Sequence, residues 1–107
     1  MPTRCLRRLA PTLCGLTLWL AGPALAQDMV LARNLAATCT GCHGTDGHAV
    51  DAMKPLAGMP ADRMLALLAD YRSGAVPATV MHQISKGFSD EQLKLIAAHF
   101  AARKARP

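Results

Sequence analysis

Aromatic side chains are scarce. One Trp, one Tyr and two Phe make up 4% of the 107 residues, although 51% of the chain is hydrophobic. No segment alternates apolar and polar residues as a half-buried strand does, which excludes a sheet and leaves helices joined by loops. There is no G-x-G-x-x-G, so the chain builds no dinucleotide-binding domain of its own. Repeats, low-complexity tracts and long linkers are also missing, and the length allows one domain at most.

Cysteine is sparser than its count of four suggests. Residues 1–26 read as a secretory leader. Arg4, Arg7 and Arg8 give a positive start, residues 9–21 are an almost uncharged apolar run, and Ala24-Leu25-Ala26 is an A-x-A cleavage site. The run is too short to cross roughly 30 Å of hydrocarbon comfortably. The expected mature domain is therefore 27–107, exported to the periplasm. Three arginines leave with the leader, so Lys+Arg falls from 12 to 9 against 7 acids and the net charge from +5 to +2. No basic stripe interleaved with aromatics remains to bind nucleic acid. Cys5 and Cys14 leave as well, and Cys39 and Cys42 remain. A disulfide across only two residues closes a tiny loop and restrains the unfolded chain little, so this pair points to chemistry rather than to a staple.

Three helices are legible. The first covers about 29–38, with Leu31 and Leu35 one turn apart. The second opens at Pro60, carries the stripe Met64, Leu67, Leu68 and Tyr71, and stops at Ser73-Gly74. The third begins with the capping box Ser89-Asp90-Glu91-Gln92 and repeats the stripe at Leu93, Ile96, Ala97 and Phe100. It runs out into Arg103, Lys104 and Arg106, which suit a helix C-terminus. Residues 44–59, with three glycines, and 75–87, with Pro77, read as irregular. The expectation is an all-α domain with long loops. Such loops suit a small domain only if a large apolar ligand completes its core.

Cys39-Thr40-Gly41-Cys42-His43 supplies that ligand: it is the C-x-x-C-H pattern of covalent haem attachment. Two thiols at this spacing add across the two vinyl groups of haem c. The histidine that follows is carried beneath the iron as its proximal ligand. Zinc would need two further ligands, but no second C-x-x-C exists and His48, His82 and His99 are scattered. A thiol–disulfide centre would open a helix beside strands, whereas this motif follows a helix.

The second axial ligand is sought among Met29, Met53, Met59, Met64, Met81, His48, His82 and His99. Met64 lies in a helical stripe, Met29 precedes the motif in the first helix, and His48 is too close to His43 to cross to the other haem face. Met81 sits in a loop about forty residues beyond His43, and a loop can carry it to the distal side. Met81 is the favoured ligand, with Met53, Met59 and His82 behind it.

The run Thr79-Val80-Met81-His82-Gln83-Ile84-Ser85-Lys86-Gly87-Phe88-Ser89 resembles the Met-bearing segment of class I cytochromes c. It is nearest to the cytochrome subunit of flavocytochrome c sulfide dehydrogenase and to the related cytochromes c4. Leu56-Ala57-Gly58 and Tyr71-Arg72-Ser73-Gly74 resemble the same branch, and the likeness covers 32–102. It implies a class I cytochrome c fold of three main helices, the first and last packed crosswise. It also implies Cys39 and Cys42 as thioether residues, and His43 and Met81 as axial ligands. The implied partner is an FAD-containing flavoprotein that oxidises sulfide and passes electrons to the haem, with no catalysis by this chain itself. In many class I cytochromes a proline carbonyl in a P-x-L-x-G-like run accepts the Nδ1–H of the proximal histidine. Here Pro55 stands directly beside Leu56, one position from that register. The competing expectations are a free periplasmic single-haem carrier and a haem peroxidase. The peroxidase would need a displaceable sixth position, and Met81 argues against that.

Overall fold

The last helix sets the frame. Ser89 Oγ accepts the Gln92 N–H at 3.2 Å, and Gln92 Oε1 accepts the Ser89 N–H at 2.9 Å, so the capping box closes in both directions. A computed structural model describes residues 22–107. In it helix α1 spans Gly22–His43, α2 Ala61–Ser73, α3 Met81–Lys86 and α4 Asp90–Ala101, with a single 3-10 turn at Thr45–Gly47. Most of the expected leader lies outside the described residues; its last five open α1. Among the described residues no helix is long and apolar enough to cross a membrane.

The stripe read in α4 is the core. Leu93, Ile96, Ala97 and Phe100 are all buried, the last two completely, and they pack with Met64 of α2 and Ala36 of α1. Helix α4 thus lies against both α1 and α2. Its basic tail lies beyond the helix: α4 ends at Ala101, and Arg103, Lys104 and Arg106 follow it.

Helix α1 departs from expectation in length and in face. It continues past Thr38 through the whole attachment motif, because nothing breaks it before Gly44, whose φ of 79° lies in the left-handed region. Leu31 is 46% exposed and Leu35 packs only at the edge of the core, whereas Ala32 and Ala36 are buried. The contact seam is thus one position on, a turn of about 100° around the helix. Small side chains win there because they let α1 approach Ala97 and Phe100 closely.

Helix α2 behaves as read. The Pro60 carbonyl accepts the Met64 N–H at 3.0 Å, and Gly74 ends the helix at a φ of 80°. Helix α3 is a correction, since residues 75–87 were expected to be irregular. Six residues carry too little periodicity to register, and too short a helix to stand alone; α3 exists because it packs on α2.

The loop over residues 44–59 folds back onto the core. The Gly47 carbonyl accepts the N–H groups of Leu56 at 2.9 Å and Ala57 at 3.1 Å. Gly47 is buried at a φ of 79°, and a Cβ there would meet Phe100 Cδ1 at 2.8 Å. Only glycine allows this approach, and it pins the loop beneath the end of α1.

Candidate functional site

A cavity of about 330 Å³ opens between the end of α1, the 44–59 loop, α2 and α3. Cys39, Cys42 and His43 line it from the last turns of α1, and Met81, the first residue of α3, lines it as well. Met81 therefore starts a helix rather than sitting in a loop. Met53, Met59 and Met64 also reach the cavity, but Met64 is 4% exposed inside the core and Met59 packs against that core. His82 lines a separate pocket beside Tyr71 and Lys86. Met29, His48 and His99 do not line the main cavity.

The walls fit a large, flat, apolar occupant. Leu56, Leu67, Leu68 and Phe88 continue the apolar stripes of the fold, yet they are only half-buried because the cavity takes the place of their packing partners. The fully buried set is small and contains one aromatic, Phe100. A core this thin is what a domain built around a cofactor leaves for that cofactor to complete.

The chemistry at the rim agrees. Both thiols are free. Burial, first of all, raises the Cys39 pKa; the Thr38 hydroxyl opposes this and the neighbouring Cys42 adds to it. Burial thus does nothing to activate Cys39 as a free thiolate.

His43 is oriented from the other side of the loop. Its Nδ1 lies 2.7 Å from the Lys54 carbonyl oxygen. A carbonyl can only accept, so Nδ1 carries the proton and Nε2 presents a free lone pair, as a metal ligand needs. Pro55 is therefore not the acceptor. The residue before it is, and reading the register back from Leu56 and Gly58 rather than from the proline would have found it.

Sequence reading also missed Arg72, known only as part of a family-like helix end. Its Nε donates to the Ser85 carbonyl at 2.9 Å, its Nη1 to Asp90 Oδ1 at 2.6 Å, and its Nη2 to the Phe88 carbonyl. No sequence pattern announces a side chain that bridges two backbone carbonyls 13 and 16 residues away.

No family profile matches the chain. It is 31% identical over 83 residues to cytochrome c-554(548) of Halomonas halodenitrificans, a match spanning 74% of this chain and all of that one. It is 35% identical over 66 residues to the cytochrome subunit of sulfide dehydrogenase of Chlorobaculum tepidum. It is 36% identical over 91 residues to cytochrome c4 of Pseudomonas aeruginosa. An all-helical fold around an apolar cleft, with C-x-x-C-H at its edge, defines a haem-binding electron-transfer domain. The chain belongs to the class I cytochromes c, and its cofactor is covalent haem c. The matches span 60% of the length of the sulfide dehydrogenase subunit and 45% of that of the cytochrome c4.

Proposed function

We propose that this cytochrome is the electron-accepting subunit of a sulfide-oxidising flavoenzyme, with Cys39 and Cys42 as thioethers and His43 and Met81 as axial ligands. When bound, the haem supplies a one-electron couple, so a two-electron donor is emptied in two steps. The chain's own residues fix that couple. Lys54 orients His43, the apolar walls exclude water, and a methionine sulfur in the sixth position favours the reduced state.

The observation carrying the partner assignment is the cavity rim. Met53 is 42% exposed, Val80 54% and Ile84 45%, and all three line the opening. An exposed apolar rim suits a lasting interface more than a brief encounter steered by charge. Export is part of the same reading. Leu25 is exposed and, among the described residues, the buried core begins at Ala32, which supports cutting after Ala26 to leave a domain over 27–107.

The second reading is a diffusing single-haem carrier of the cytochrome c4/c5-like type, favoured by the full-length match to cytochrome c-554(548). Co-expression with an FAD-containing, sulfide-oxidising flavoprotein separates the two. The subunit reading expects a complex that survives moderate salt and a haem reduced by sulfide only when the flavoprotein is present. A cytochrome that elutes alone, and stays oxidised with sulfide and flavoprotein, is the carrier.

A further inference from the structure

Helix α3 cannot hold its own position. It has six residues, far below the length at which a helix is stable alone, and the carbonyls of its last turn lack partners within it. Ser85 is completely buried, so its carbonyl has no water to turn to. Arg72 of α2 supplies the missing donor at 2.9 Å and places a positive charge at the C-terminal end of α3. The same guanidinium reaches the Phe88 carbonyl in the α3–α4 joint and Asp90 at the start of α4. The Asp90 arm is the weakest, because that carboxylate is 72% exposed and water screens it. The two carbonyl arms are part-buried and charge-assisted. Met81 stands one turn before Ser85, and Met81, Ser85 and Phe88 all line the cleft. The joint that Arg72 holds is thus itself a wall of the haem site.

We propose that Arg72 is the positioning residue for the distal ligand: its guanidinium latches the α3–α4 joint to α2 and so keeps Met81 in the cleft. This rests on reading Met81 as the axial methionine. A latch of this kind governs how often Met81 leaves. It should therefore show in the rate at which an outside ligand takes the sixth position, beyond any effect on global stability.

The test is cyanide association to the ferric holoprotein, with the red-edge band of methionine–iron coordination and the urea midpoint recorded alongside. R72K keeps a charge but cannot bridge three acceptors, and its cyanide rate should rise roughly tenfold or more, with a weakened band. D90N removes only the charge of the exposed arm and should rise by about two- to fivefold. F100L loosens the core at a residue that does not line the cleft and should leave the rate unchanged. If R72K yields no holoprotein, D90N against F100L carries the comparison. Rates in R72K and D90N no higher than in F100L overturn the latch, provided M81A has lost the band. A band that persists in M81A overturns the ligand reading instead.

Discussion

His43 Nδ1 donates to the carbonyl of Lys54 at 2.7 Å, and Lys54 is the residue before a proline. That position is confined to extended backbone, so the direction of the Lys54 carbonyl is largely set before the protein folds. The amide it belongs to has no N–H of its own. With His43 as the proposed axial ligand, the bond would make the imidazole a stronger donor to iron. Pro55→Ala frees the Lys54 backbone and should weaken the bond. The reduction potential should then rise, because a poorer donor stabilises ferric iron less. Voltammetry of the two holoproteins checks this, and an unchanged or lower potential counts against it.

Haem attachment has a direct test. Produced with its leader and a haem-maturation system, the protein should keep its haem through acid–acetone and denaturation. Cys39→Ala with Cys42→Ala should release all of it. A double variant that still carries covalent haem places the attachment elsewhere.

The contact between Gly47 and Phe100 makes a stability prediction. Gly47→Ala meets both a positive φ and a Cβ placed 2.8 Å from the Phe100 ring and from the Ala57 nitrogen. The cost should be about 1–3 kcal/mol. Phe100→Ala, which empties the centre of the α1–α4 contact, should cost about 3–5 kcal/mol. Urea unfolding of the holoproteins measures both, and a Gly47→Ala midpoint equal to the parent's refutes the close approach.

His99 gives stability a pH dependence. Its ring lies edge-on to Phe100 with centroids 5.3 Å apart, and its Nδ1 accepts from Arg103 Nη2 at 3.2 Å. Burial, then Arg103, lowers its pKa; Arg33 acts the same way and Asp46 opposes them. The folded state therefore prefers the neutral ring. Its contribution is complete above the unfolded value of about 6.5 and is lost as pH falls through the lower folded value. The urea midpoint of the parent should drop between about pH 8 and pH 5 by more than that of His99→Gln. Equal slopes remove His99 as the cause.

Dependence on haem follows from the thin core. With Leu67, Leu68 and Leu56 half-buried around an open cleft, the chain without haem has too little packing to hold its loops. The apo-chain, or His43→Ala, should be largely unfolded by circular dichroism. A cooperative apo-protein would show that α1, α2 and α4 suffice.

Helices α2 and α4 were legible because each carries its own start, stripe and stop: Pro60 to Gly74, and Ser89 to Phe100. Their burial pattern needs no knowledge of the rest of the chain. The buried face of α1 was not legible. Both Leu31 with Leu35 and Ala32 with Ala36 satisfy helical spacing, and hydrophobicity favours the leucines. What decides is how closely α4 approaches, and only the assembled pair reveals that.

The sequence by itself determined the chemistry at the end of α1. Cys39, Cys42 and His43 are local, and spacing along one helix fixes their relation before any tertiary contact forms. It also determined that the fold is helical, through two autonomous stripes. The tertiary structure decided everything that joins distant segments. It brought Met81 into the cleft at the start of a helix too short to announce itself, and it gave the His43 Nδ1 bond to Lys54 rather than Pro55. It also spent all three arms of Arg72 on the joint between α3 and α4. The reason is the same in each case. Backbone carbonyls carry no residue identity, so a bond to one leaves no mark in the sequence, and only the folded chain shows which carbonyl lies within reach.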